Sequence, residues 1–219
     1  MNYKIAIDGT ASSGKSTICK LIANDFGFTF ISTGGFCRSY GYILKSKNLL
    51  DSLDTNKEEV LKELANNEIK VEGDNFFINN KNVTSLLKDE SVSLAASLVG
   101  TKQYIREFAN KTLILLAKTY PKVLMDGRGI AKEILPDANL KFYFYSSLKI
   151  RTKRRKEELE KLNKKANYFS IYWDLFKRDW KDKHRKLAPS KATKDTIKIN
   201  TSNKSIDQVY QEIKKYIKV

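Results

Sequence analysis

Apolar residues gather in short strand-like runs at 3–7, 28–32, 123–126, 140–145 and 196–200, each about the length of one strand. Between them the apolar positions fall at helical spacing over 15–26, 35–47, 102–119, 147–165, 169–185 and 205–218. The last of these opens on Ser205 with Gln208 three residues on, a capping-box pattern. Ile206, Val209, Tyr210, Ile213 and Ile217 then share one apolar face. Strands alternating with helices of this length predict an α/β fold, a three-layer sandwich around a central parallel five-stranded sheet. One stretch breaks the alternation. EIKVEGDNFFINNKNVT, residues 68–84, reads as short strands joined by Gly-Asp-Asn and Asn-Asn-Lys-Asn turns. It predicts a small β-rich insert of roughly forty residues with its flanking helices.

Composition narrows the class. With 219 residues the chain can bury one sizeable core, and 41% hydrophobic with 30% charged residues is ordinary for a globular protein. No run approaches the roughly 18 apolar residues of a membrane span, and the N-terminus lacks a secretory pattern, so a cytoplasmic protein without a membrane partner is expected. Cys19 and Cys37 match no metal-ligand spacing and read as reduced thiols. His184 is the only histidine, which excludes His-rich metal sites. The net charge of +16 admits two readings: a nucleic-acid binder, or a handler of small anions whose remaining lysines are solvated. Lysines spread along the whole chain favour the second.

The arginines and glycines are more localised. GTASSGKS, Gly9 to Ser16, follows the first strand and opens the first helix, the G-x-x-x-x-G-K-S phosphate-binding loop. Gly9 and Gly14 let backbone N–H groups turn inward, Lys15 offers a charge to β and γ phosphates, and Ser16 a hydroxyl to Mg²⁺. The helix adds its positive end. In FISTGGFCRS, Thr33, Gly34 and Arg38 follow the carboxyl end of the second strand, the edge where ligands bind in parallel sheets. Arg38 could clamp a second phosphate or be a surface charge. In VLMDGRG, Asp126 is placed to hold Mg²⁺ or its water and Arg128 to clamp phosphate, against the plainer reading of a capping Asp. Arg151, Arg154 and Arg155 share a helical face, where pairing with Glu157 and Glu158 is the alternative. Arg178, Asp182 and Arg185 stand at i, i+4 and i+7 ahead of Pro189; Asp182 could orient both arginines, accept a sugar hydroxyl, or belong to a surface ion-pair ladder.

Taken in order, IDGTASSGKST, STGGFCR, NNKNVTSLLKDESVSLAAS, YIRE, DGRGIAKEILPDA, RRKEEL and RDWKDKHRKLAPS make the chain resemble the bacterial cytidylate kinases along essentially its whole length. These are P-loop nucleoside monophosphate kinases with a small insert. The resemblance implies a single domain: a P-loop NTPase core of about 1–60 and 100–219, an NMP-binding insert of about 61–99 and a lid of about 150–168. It implies a monomer that transfers phosphate from ATP, with Mg²⁺, to CMP or dCMP. ATP would lie on Gly9, Thr10, Ala11, Ser12, Ser13, Gly14, Lys15, Ser16 and Thr17, with Arg154 and Arg155 closing from the lid. Thr33, Gly34, Arg38 and Arg128 would hold the acceptor phosphate, Arg178 and Arg185 the transferring group, Asp182 the ribose, and Ser97 and Arg106 the base. Ser16 and Asp126 would serve the metal.

The chain departs from the family pattern at Gly129, where the family has an Asp that helps read the cytosine amino group. It departs also at Ala131-Lys132 in place of Gly-Thr, at Cys37 in place of Tyr, and at Lys88 in place of Arg. Transfer chemistry is expected to survive these changes, and base selectivity to be the property at stake. Two alternatives follow: a pyrimidine monophosphate kinase that also accepts UMP, and a nucleic-acid-binding P-loop ATPase resting on the charge.

Overall fold

A computed structural model describes residues 3–184 and 190–218. In chain order the elements are β1 (Tyr3–Gly9), α1 (Lys15–Phe26), β2 (Thr29–Ser32), α2 (Thr33–Ser46), α3 (Lys57–Ala65), β3 (Ile69–Glu72), β4 (Asn75–Ile78), β5 (Lys81–Asn82), α4 (Glu90–Val99), α5 (Gln103–Thr119), β6 (Lys122–Gly127), β7 (Leu140–Tyr145), α6 (Leu148–Lys161), α7 (Tyr168–His184), β8 (Ile197–Asn200) and α8 (Ile206–Lys214). A 3₁₀ turn covers Leu86–Lys88 and a π-helical turn Ile130–Ile134. The strands form a five-stranded parallel sheet, order β2-β6-β1-β7-β8, and a three-stranded antiparallel sheet, β3-β4-β5. Both sheets follow the expectation from the strand runs.

The chain divides into two compact units, Met1–Phe28 with Lys122–Val219, and Thr29–Pro121. In the first, β1 pairs in parallel with β6 on one side and β7 on the other, and β7 pairs with β8. Ile5, Ile7, Val123, Leu124, Met125, Phe142 and Phe144 are fully buried. Strands covered on both faces need such runs instead of an alternating pattern. α8 begins at its predicted capping box, the Ser205 hydroxyl accepting the Gln208 N–H while the Gln208 side chain accepts the Ser205 N–H.

In the second unit, α2 and α4 pack so closely that a Cβ on Gly41 would come within 2.6 Å of the Ala96 nitrogen. A Cβ on Gly35 would strike the ring of Phe76 from β4. Val71 and Phe76 complete the buried side of the small sheet.

Several boundaries differ from the sequence expectation. α2 starts at Thr33, so Thr33 and Gly34 form a first helical turn. α6 stops at Lys161 because Asn163 takes a left-handed conformation (φ 54°) and Lys164 N–H folds back to the Leu159 carbonyl. Asn167 then caps α7 by accepting the Ser170 N–H. The predicted 169–185 helix is described as far as His184; Arg185 and Pro189 lie outside the described residues.

Candidate active site

The phosphate-binding loop hangs from its neighbouring strand. Thr10 N–H donates to the Phe144 carbonyl at 3.0 Å, and a Cβ on Gly9 (φ +148°) would fall 2.1 Å from that same oxygen. Only glycine lets β1 turn into the loop this close to β7. The Ser13 hydroxyl donates to the Thr10 carbonyl at 2.9 Å. Lys15 is buried, and its ammonium donates to the Gly9 and Thr10 carbonyls at 3.2 and 2.8 Å. Burial pulls its pKa down to about 7, and the Arg128 charge pulls further while Asp126 opposes. An anion entering the loop relieves that strain, so the lysine is held ready for one.

Beside the loop, the Ser16 hydroxyl donates to Asp126 Oδ2 at 2.7 Å. The pair joins the first turn of α1 to the end of β6. It presents hard oxygens and no sulfur or imidazole, a donor set that suits Mg²⁺, which takes one or two protein oxygens and completes its shell with phosphate and water. No cluster of three His, Cys, Asp or Glu that could hold a metal unaided occurs among the described residues.

Arg128 is the first residue beyond β6. Its Nε donates to Asp182 Oδ2 at 2.9 Å and Nη1 to the Gly127 carbonyl at 3.1 Å. Arg178 stands one helical turn before Asp182 on α7. The residue is exposed, yet its guanidinium is desolvated by surrounding chain and crowded by the Arg128 charge, both lowering its pKa against Asp182 and Asp179. Arg128, Arg178 and Asp182, picked from two separate motifs, are thus gathered in one electropositive cluster. Asp182 thus meets an arginine from just beyond β6 besides the neighbouring Arg178 that helical spacing offered, while Arg185 lies outside the described residues.

The arginines of α6 part company. Arg155 pairs with Glu158 at 2.8 Å, close to the plain alternative. Arg154 instead reaches the Thr201 carbonyl at 2.6 Å and its hydroxyl at 3.2 Å. Arg151 turns inward: its Nε donates to the Ser146 carbonyl at 2.9 Å, Nη1 to the Ala11 carbonyl at 3.2 Å, and Nη2 pairs with Asp179 at 2.5 Å.

Four residues that brace the site, directly or through another side chain, were not visible as such in the sequence. Asp8, buried at the end of β1, accepts the N–H groups of Ile130 and Ala131, each at 2.9 Å. Burial raises its pKa and those two bonds lower it, burial being the larger. The Thr201 hydroxyl donates to the Ser13 carbonyl at 3.0 Å. Arg151 and Asp179 complete the set. A charged residue closing an apolar strand was the only available signal, and it marked Asp8 alone.

In the second unit, Thr33, Gly34 and Arg38 lie on the first two turns of α2. A Cβ on Gly34 would stand 3.6 Å from Arg38 Nη1, so the guanidinium folds back across the bare glycine toward the positive helix end. Ser97 is exposed on α4. Arg106, on α5, donates weakly from Nη1 to the Gly100 carbonyl at 3.4 Å, while its buried Nε has no hydrogen-bond partner. A buried donor without an acceptor is costly, and it points to a ligand atom.

Sheet order, loop and the Ser16–Asp126 pair together define a nucleotide-binding protein of the phosphate-loop class. The family model described as cytidylate kinase matches residues 5–219. A cytidylate kinase of Ureaplasma urealyticum is 38% identical over 207 residues, covering 93% of this chain and 90% of the relative. Those of Clostridium tetani and Thermosipho melanesiensis are 34% and 32% identical, covering 99% and 100% of this chain and 94% and 98% of theirs. A crystal structure of an uncharacterized Eubacterium ventriosum protein shares the fold, with a TM-score of 0.51 at 15% identity over 98% of both chains. The chain belongs to the cytidylate kinase family.

Proposed function

We propose that this chain transfers the γ-phosphate of ATP to CMP or dCMP, giving ADP and CDP or dCDP. The observation that carries the reading is the family match along the whole chain, onto a loop already shaped for phosphate. Gly9, Thr10, Ala11, Ser12, Ser13, Gly14, Lys15, Ser16 and Thr17 hold the ATP phosphates through backbone N–H groups, the ammonium and the α1 dipole. Ser16 and Asp126 hold Mg²⁺ directly or through water, and the ion supplies charge neutralisation between the phosphates. Thr33, Gly34, Arg38 and Arg128 bind the acceptor phosphate, and Ser97 and Arg106 the base, Arg106 Nε donating to a base acceptor. Asp182 keeps Arg128 in place, and its carboxylate, an acceptor group, takes a ribose hydroxyl.

Two polyanions must be brought into line for the reaction. Lys15, Arg128, Arg178 and Arg185 offset that repulsion, and a hydrogen bond to a charged group contributes roughly 1.5–3 kcal/mol. No general base is required, since the attacking oxygen of the acceptor phosphate is already ionised. Arg155 can exchange Glu158 for phosphate at little cost because that pair is exposed. Arg154 fastens the lid segment to Thr201.

Gly129 supports a second reading, in which UMP is accepted as well. Its left-handed φ of 77° starts the π-helical turn, and glycine offers no carboxylate to the cytosine amino group. An ADP-release assay with ATP and Mg²⁺, offering CMP, dCMP, UMP, AMP, GMP and dTMP separately, decides. Response to CMP and dCMP alone supports the first reading, and a comparable UMP rate the second. Hydrolysis stimulated by RNA or DNA with no small acceptor used would overturn both.

A further inference from the structure

α7 carries a second feature that nucleotide chemistry does not use. Ile171 and Leu175 face the protein, packed with Ala11, Leu148, Leu159 and Ala166. On the opposite side Phe169, Trp173, Phe176 and Trp180 recur at i, i+4, i+7 and i+11, one stripe roughly 16 Å long. They are 72%, 54%, 45% and 58% exposed. Single exposed aromatics need no explanation, but four in a row on one face do. Lys177 and Lys183 lie within or beside the stripe at helical spacing, and Asp179, the acid at its edge, is engaged by Arg151. Asp174 is exposed but lies off the stripe, beyond Lys177, so the stripe itself is aromatic with lysines at its edges.

Three occupants fit an aromatic and basic face. A second copy would bring two chains of +16 together, which repel. Single-stranded nucleic acid needs a groove that follows its backbone and ring faces free for stacking. Here the rings engage one another: Trp173 lies edge-to-face with Tyr172 and with Phe176 at 5.9 and 5.7 Å, and Trp180 lies against His184 at 4.6 Å. The surface is one outward helix side. An anionic bilayer asks for neither groove nor free ring faces. It asks for Trp and Phe on one side of a helix, lysines at headgroup level and a net positive protein.

We propose that the outer face of α7 docks this protein peripherally on anionic phospholipid, the four aromatics entering the headgroup layer and Lys177 and Lys183 pairing with lipid phosphates. No helix among the described residues is long and apolar enough to cross a membrane, so the contact is with the surface only.

Both tryptophans of the chain, Trp173 and Trp180, lie in the stripe, so tryptophan emission, excited selectively over the tyrosines, reads this face. The full-length protein is mixed with phosphatidylcholine vesicles, with and without phosphatidylglycerol, and followed by flotation, emission maximum and quenching by brominated acyl chains. Binding to the anionic vesicles only, a shift to shorter wavelength and quenching are expected. Phe169→Ser/Phe176→Ser, which keeps both tryptophans, weakens partitioning about tenfold or more, as does Lys177→Glu/Lys183→Glu. Both variants keep wild-type turnover on soluble nucleotides. Absence of binding overturns the proposal, and so does binding without shift or quenching, which is mere adsorption of a cationic protein. Tryptophan quenching by an oligonucleotide but not by vesicles reassigns the face to nucleic acid, and burial of the tryptophans in a concentration-dependent dimer reassigns it to a second copy.

Discussion

Asp8 and Asp126 end neighbouring strands one residue out of register, since Ile7 aligns with Asp126 and Asp8 with Gly127. Side chains alternate along a strand, so the two carboxyls address different surroundings. Asp126 turns to Ser16, whereas Asp8 collects the first two N–H groups of the π-helical turn that follows Gly129. Asp8 is thus a positioning residue for Arg128. Asp8→Ala removes two charge-assisted bonds and leaves two buried donors unpaired, for a loss of about 3 kcal/mol, read as a lower denaturant midpoint. Asp8→Asn restores one acceptor and turns an amide N–H₂ toward the other donor, so it recovers only part. At Gly129 the trade runs the other way. Gly129→Asp pays about 1 kcal/mol for a side chain at positive φ, and restores a carboxylate where the family reads cytosine. The expected outcome is a slightly lower melting temperature with a larger ratio of CMP to UMP turnover; an unchanged ratio would remove Gly129 from base selection.

At the scale of elements, the loop is held at its carbonyls by its own lysine and by parts of the chain far away in sequence. Lys15 takes Gly9 and Thr10, Arg151 of α6 takes Ala11, and Thr201 after β8 takes Ser13. Arg151 also grips Asp179, so one guanidinium ties the loop to both α6 and α7. Arg151→Ala leaves Asp179 partly buried without its ion-pair partner. Since Asp179 keeps some exposure, the loss falls at the lower end for a broken buried pair, about 3 kcal/mol. Arg151→Lys restores the charge and cannot make three bonds in one plane, so ATP KM rises while stability is largely regained, a split that thermal melts and kinetics together expose. These links also show what the sequence could convey. Sheet runs, the loop motif and the cap at Ser205 were legible because each is local. Arg151 looked like its neighbours Arg154 and Arg155 because spacing along one helix says nothing of a partner 140 residues back at Ala11. The Arg128 partner of Asp182 was hidden for the same reason, 54 residues back along the chain. α3, α4 and the π-helical turn lack the long periodic pattern that marks a helix, and their places depend on packing within their own units.

For the whole molecule, the active loop carries a cost that binding removes. A buried Lys15 with a pKa near 7 binds its proton less tightly than it does in the unfolded chain, where the ordinary value is 10.5. Below about pH 7 both states are protonated and the penalty is present in full. Between about 7 and 10.5 the unfolded chain holds more protons, so stability of the nucleotide-free, metal-free protein rises with pH from this source. Lys15→Met removes the titration: the gain between pH 7 and 10 shrinks relative to wild type, and the variant's melting temperature at pH 7 does not fall below it. With ATP and Mg²⁺ the order reverses. Ligand at a hundred times its Kd contributes about 2.7 kcal/mol, a rise of roughly 5–10 °C for a chain of this size. Wild type should show that rise and Lys15→Met almost none, although the variant is no less stable when empty. A variant that instead melts early at every pH, with or without nucleotide, would make Lys15 a structural prop and leave phosphate binding to the backbone of the loop.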